Sequence, residues 1–103
     1  EVGADRVVAG LPFYGYRWTA PGKGETVTHA EAVAAAARAG SRLTRDDASG
    51  TLRAPLGEGA VWVTDAGLVE RLLAEVRRAG VRRVAFWYVG QEDPAVWPLL
   101  QRR

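Results

Sequence analysis

The sequence contains no cysteine. That absence removes disulfides, thiolate zinc sites and cysteine nucleophiles together, and leaves packing as the source of stability. A single histidine, His29, has no histidine partner anywhere in the chain, and without a GxSxG elbow the few serines cannot be read as part of a catalytic triad. Excess charge is scarce as well: 14 Lys+Arg against 12 Asp+Glu leave +2, too little to select a polyanionic partner despite a pI near 9.5. Lys23 is the only lysine, and the arginine and alanine bias carries no functional weight. No run approaches the roughly 20 apolar residues of a membrane span, and the N-terminus lacks the ordered regions of a signal peptide. These observations argue against nucleic acid and membrane as partners. No cofactor and no metal site is expected.

What is present is the composition of a folding chain. With 48% hydrophobic and 25% charged residues in 103, the sequence falls in the globular range and has room for one core. Val7 to Trp18, VVAGLPFYGYRW, reads as a buried strand with a broken end. Its apolar residues do not alternate with polar ones, which suits a parallel strand covered on both faces. Pro12 cannot donate to a ladder, so Phe13, Tyr14, Tyr16 and Trp18 are expected at or beyond the strand's C-terminal end. Thr19 to Thr26 is turn-rich and reads as a surface loop. Thr28 and Glu31 form a capping box ahead of an alanine-rich helix that Gly40 closes. Turn signals around Asp46-Asp47-Ala48-Ser49-Gly50 suggest a small hairpin, and Ala60 to Thr64 a strand.

Asp65 or Thr64 caps a second helix through Ala79. Leu68, Leu72, Val76 and Ala79 recur at helical spacing there, with Val69 and Leu73 widening the stripe. After Gly80, Val81 to Val89 reads as a strand, with Val84, Phe86 and Tyr88 on one face and Ala85, Trp87 and Val89 on the other. Asp93 then caps a short helix with Pro94 at its first position and Val96, Trp97 and Leu100 on its apolar side. Strand, helix and strand joined by a single glycine make a unit of parallel α/β architecture. Two such strands cannot cover their own faces and edges, so the chain reads as part of a larger barrel or sheet.

The stretch GLPFYGYRW, together with the tryptophan-bearing ending FWYVGQEDPAVW, resembles the family 18 glycoside hydrolases, the chitinase-like (β/α)8 barrels, and above all their bacterial branch acting on spore or cell-wall peptidoglycan. The resemblance covers nearly the whole chain. It implies the α/β fold of the C-terminal part of a TIM barrel, with strands 7 and 8 and an inserted small α+β subdomain. On that basis residues 1–18 hold the strand 7 region, 19–64 the insertion, and 65–103 helix 7, strand 8 and the final helix, all within one partial domain, 1–103. It also implies a parent that cleaves β-1,4-linked N-acetylglucosamine polymers, chitin or peptidoglycan, by substrate-assisted retaining hydrolysis, a departure from the two-carboxylate scheme. The family's DxxDxDxE motif and its sixth-strand tyrosine-aspartate pair are absent from this sequence, so no catalytic residue is expected here, and an extracellular or cell-wall location follows only from the substrate class.

Four residues are the candidates for substrate binding. Trp87 reads either as a core tryptophan or as an indole stacked on a pyranose ring; the resemblance favours the second and places it at the floor of the subsite for the cleaved sugar. Tyr14 is either a packed strand-end aromatic or a pocket wall with a hydroxyl donor, and Tyr16 and Trp18 are weaker candidates for the rim. Trp62 reads as structural. Asp93 and Glu92 fit capping, Asp46 and Asp47 a turn, and His29 an exposed helix position. The PGKGET loop fails the Walker spacing, and Arg71, Arg77, Arg78, Arg82 and Arg83 read as a solvated outer face. Two other readings stay open: a lectin-like glycan-binding module without catalysis, and self-association through exposed strand edges.

Overall fold

In the computed structural model, which describes residues 3–20 and 22–101, the chain builds two sheets joined at Phe13 and Tyr14. The first is a parallel pair, β1 (Val8–Pro12) with β7 (Arg83–Trp87), in a register that sets Gly10 beside Ala85, Leu11 beside Phe86 and Pro12 beside Trp87. Helices α2 (Ala66–Arg78) and α3 (Val96–Gln101) cover one face of it. Leu11, Phe13, Val69, Leu73, Val96 and Leu99 are buried there together, and Phe13 lies flat on Phe86 with ring centroids 4.4 Å apart. The apolar stripe of α2 is centred on Val69 and Leu73; Leu72 and Val76 flank it half-buried, while Ala79 caps the helix in solvent.

The second sheet is antiparallel and five-stranded. Its order is β3 (Lys23–Val27), β2 (Gly15–Ala20), β6 (Gly59–Val63), β5 (Leu52–Leu56) and β4 (Thr44–Arg45). Helix α1 (His29–Arg38) packs Ala32 and Ala36 against Val27, Ala54, Val61 and Val63 of this sheet. The capping box is formed as the sequence predicts: the Glu31 N–H donates to Thr28 Oγ1 at 3.0 Å and the Thr28 N–H to Glu31 Oε1 at 2.8 Å. Gly40 takes φ +66°, the left-handed geometry that ends such a helix.

Three expectations need correction. Val7 to Trp18 is two strands in different sheets. Past Pro12 the Phe13 N–H still donates to the Trp87 carbonyl at 2.8 Å, and the chain then turns at Tyr14 to enter β2. Gly15 is what permits that entry: a Cβ there would stand 2.1 Å from the Trp62 carbonyl oxygen. The stretch read as a loop, of which Pro21 lies outside the described residues, carries β3 and forms a hairpin with β2. Its glycine at position 24 serves close approach, because the Trp18 ring lies 2.6–2.7 Å from where a Cβ would be. The last strand is shorter than Val81 to Val89. It ends at Trp87, so Tyr88 does not share the buried face of Val84 and Phe86 but stands half-exposed beyond it.

Candidate functional site

At the C-terminal end of β7 the Trp87 indole is open, with 68% of its surface exposed. The face it shares with Ala85, Gly10 and Pro12 is the one that no described helix covers. Small residues on both strands leave a depression of about 270 Å³ beside the indole, with Tyr14 at its edge. The Trp87–Tyr88 peptide is cis, and the two rings meet edge to face at 5.4 Å.

Pro12 and Tyr14 also border a second, larger depression of about 420 Å³ on the five-stranded sheet, so the two hollows adjoin. Tyr16, Trp18 and Trp62 line it together with Ser49 and Thr51. The aromatics along β2 contact one another in sequence: Tyr14 meets Tyr16 edge to face at 5.6 Å, and Tyr16 stacks on Trp18 at 6.0 Å. Trp87 and Tyr14 thus border one hollow, and Tyr14, Tyr16 and Trp18 the other. Trp62, which the sequence marks as structural, belongs to it as well; its place depends on pairing opposite Tyr16 across β2 and β6, a tertiary fact with no local signal.

The segment after Trp87 is held by three elements. Glu92 accepts from the Gly90 N–H at 2.6 Å and from the Trp97 indole at 3.2 Å. Its carboxyl sits below the usual range because hydrogen bonds from its own backbone N–H, from Gly90 and from Trp97 outweigh the desolvation that opposes them. Asp93 caps α3 through the Ala95 N–H at 3.0 Å, as expected, and also takes the Ala66 N–H at the start of α2 at 2.9 Å. The backbone of α1 joins in, with the His29 N–H donating to the Gln91 carbonyl at 2.9 Å.

His29 corrects another expectation. Its side chain is 16% exposed and sits 3.7 Å from the Asp93 carboxylate; that partner is remote in sequence, so a local reading leaves the histidine in solvent. Asp65 caps α2 through Leu68 and also holds the Arg45 guanidinium with both oxygens, tying the small sheet to the helix. Burial opposes charge on Asp65, but the bonds from Arg45 and the Leu68 N–H win, and its carboxyl falls below the ordinary value. Asp46 is lowered chiefly by the Ser49 hydroxyl and stays in its turn. Among the described residues no cluster of three His, Asp or Glu suited to a metal forms, and neither hollow is lined by a carboxylate. No described helix is long and apolar enough to cross a membrane.

No protein-family model matches the chain, and no curated protein matches it. Solved structures do. The spore cortex-lytic enzyme SleL of Bacillus cereus superposes with TM-score 0.86 at 21% identity over 95% of this chain and 25% of its own. A chitinase from Chromobacterium violaceum gives 0.85 at 27% identity, covering 98% of this chain and 33% of its own. A class V chitinase from Pseudomonas fluorescens gives 0.77 at 28%, covering 97% and 34%. The chain therefore spans a quarter to a third of these proteins. Its mixed α/β fold is that of a portion of chitinase-like family 18 glycoside hydrolases, the family that GLPFYGYRW and FWYVGQEDPAVW resemble.

Proposed function

We propose that these residues form one wall of the substrate cleft in a glycoside hydrolase acting on β-1,4-linked N-acetylglucosamine polymers. In this reading β1 and β7 are strands 7 and 8 of a (β/α)8 barrel, and the five-stranded sheet with α1 is the insertion between them. The observation that carries it is the open Trp87 indole at the C-terminal end of a parallel strand, where barrels of this kind hold their active sites. An indole face stacks on the apolar face of a pyranose, and the small Gly10 and Ala85 leave room beside it. Tyr14 supplies a hydroxyl at the junction of the two hollows, while Tyr16 and Trp18 extend the contact along the rim.

The reaction itself is substrate-assisted and retaining under this proposal. The acetamido oxygen of the bound sugar attacks the anomeric carbon as the glycosidic bond breaks, and an acid from another part of the parent chain protonates the leaving oxygen. The residues described here hold the ring in place for that attack and carry no proton. The substrate class argues for work outside the cell or in its wall, with the remainder of the barrel as the chain's partner along the free edges of β1 and β7. The lectin-like alternative uses the same aromatic residues, Trp87, Tyr14 and Trp18, as a binding platform without turnover. Turnover of chitin oligomers by the natural protein supports hydrolysis. Saturable binding without turnover supports the lectin. Failure of Trp87→Ala to weaken binding in calorimetric titrations removes the stacking role from both.

A further inference from the structure

The second hollow is walled by both parts of the fold. Tyr16, Trp62, Ser49 and Thr51 reach it from the small sheet and its β4–β5 turn, whereas Pro12 and Leu68 belong to β1 and α2. Its width therefore depends on how that turn is held against the helix. The sheet itself offers little hold there: β4 is two residues, Thr44–Arg45, at the sheet's edge and paired with β5 alone.

The turn is a unit. The Gly50 N–H donates to the Asp46 carbonyl and the Asp46 N–H to the Thr51 carbonyl, both at 2.8 Å, and the Asp46 carboxylate takes the Ser49 N–H and hydroxyl at 2.9 and 2.7 Å. Ser49 and Thr51 thus go where the turn goes, and Arg45 decides where that is. Its Nη1 donates to the Gly50 carbonyl at 3.0 Å and to Asp65 Oδ1, and its Nη2 to Asp65 Oδ2 at 2.9 Å. One planar fork therefore runs from the turn to the N-cap of α2. Asp65 is only 14% exposed, so water competes less for these bonds than at Arg78–Glu75, where both partners stand in solvent. Two glycines make the fit: a Cβ on residue 50 would stand 3.0 Å from Leu68 Cδ1, and one on residue 67 would stand 2.9 Å from Arg45 Nη2. Arg45 is not among the residues that line the hollow; it acts through the turn.

We propose that Arg45 is a positioning residue that holds the Ser49–Thr51 wall against Leu68, keeping the second hollow formed beside the first so that a long glycan crossing Tyr14 is gripped in both. The inference rests on the cleft reading above and deepens it, because the Arg45–Asp65 clamp then sets the preference for long oligomers over short ones. Without the clamp the turn leaves α2 and the formed hollow becomes a fraction of the population. Affinity falls by that fraction for a ligand that needs the hollow, and a ligand confined to the Trp87 side does not feel the change.

The test is calorimetric titration of the natural protein and its variants with two probes, the dimer and the hexamer of N-acetylglucosamine, together with the indole resonances of Trp62 and Trp87. The natural protein binds the hexamer more tightly, and the hexamer moves both resonances. Arg45→Met lowers hexamer affinity by about tenfold, the low end for a charge-assisted hydrogen bond, leaves dimer affinity unchanged, and shrinks the Trp62 shift while that of Trp87 persists. Arg45→Lys, which keeps the charge without the fork, falls between the two. Gly67→Ala separates position from folding: it adds helix propensity to α2 yet pushes the guanidinium off Asp65, so it lowers the same ratio with no loss of Tm. Should Arg45→Met fail to fold, Gly67→Ala and Arg45→Lys decide. A merely structural role leaves the ratio of hexamer to dimer affinity and the Trp62 shift unaltered in the folded variants; that result overturns the proposal, and so does equal affinity for both probes in the natural protein. If Trp87→Ala weakens both probes while the Arg45 and Gly67 variants leave the ratio intact, the cleft reading stands and this one falls; if neither probe binds the natural protein, both fall.

Discussion

Asp93 is where the account exposes itself most on stability, because one carboxylate closes two helix starts at once. One oxygen takes the Ala95 N–H ahead of α3 and the other the Ala66 N–H of α2, at 3.0 and 2.9 Å. Replacing Asp93 by alanine leaves two first-turn N–H groups without their acceptor, in a place where the side chain is only 16% exposed and water is a poor substitute. A lost cap costs about 1 kcal/mol, so the pair comes to about 2 kcal/mol. For a cooperative unit of about 100 residues that is about 8–16 °C in Tm. Asp93→Asn retains one acceptor oxygen and is expected to lose about half as much. Thermal unfolding of the natural protein and the two variants by circular dichroism measures both. A Tm for Asp93→Ala within about 1 °C of the natural protein, well under the shift expected from even a single lost cap, refutes the double-cap argument, and so does a larger loss in Asn than in Ala.

Asp65 predicts a pH dependence. Its folded carboxyl is depressed, so its contribution is fully present above the unfolded value near 3.9 and is lost as pH falls through the lower folded value. Asp65→Asn is expected to lower Tm at neutral pH and to show a shallower decline from about pH 4 downward than the natural protein; parallel Tm profiles contradict this. Gly15→Ala is expected to destabilise by about 3 kcal/mol or more, since its Cβ meets the Trp62 carbonyl at 2.1 Å and the Val63 Cα at 2.8 Å within the β2–β6 ladder. Denaturant unfolding gives the figure, and a midpoint like that of the natural protein sets the clash aside.

The helices were legible because their signals are local. The Thr28/Glu31 box, the Asp65 cap and the spacing of Leu68, Val69, Leu72, Leu73 and Val76 each lie within a few turns of chain. The parallel pair could be inferred from a strand, a helix and a one-glycine return. The small sheet could be read only in part, because its strands are set by close approach. Gly24 and Gly22 look like loop punctuation until Trp18 is seen lying over position 24. Alternation along its strand set Trp87 opposite Val84 and Phe86, and only the family resemblance favoured an open placement over a core one, whereas the aromatic row through Trp62 depends on register between β2, β5 and β6. His29 and Asp93 are joined by the fold alone, and nothing near either residue announces the other.

The central claim is that Trp87 meets carbohydrate. The chain has four tryptophans, Trp18, Trp62, Trp87 and Trp97, and each indole N–H gives its own resonance in a nitrogen-proton correlation spectrum. Titration of the natural protein with a tetramer of N-acetylglucosamine is predicted to move the Trp87 signal first and furthest, while that of Trp97, whose indole N–H is bonded to Glu92, stays near its starting position. A saturating titration in which the Trp87 resonance does not move would contradict the account.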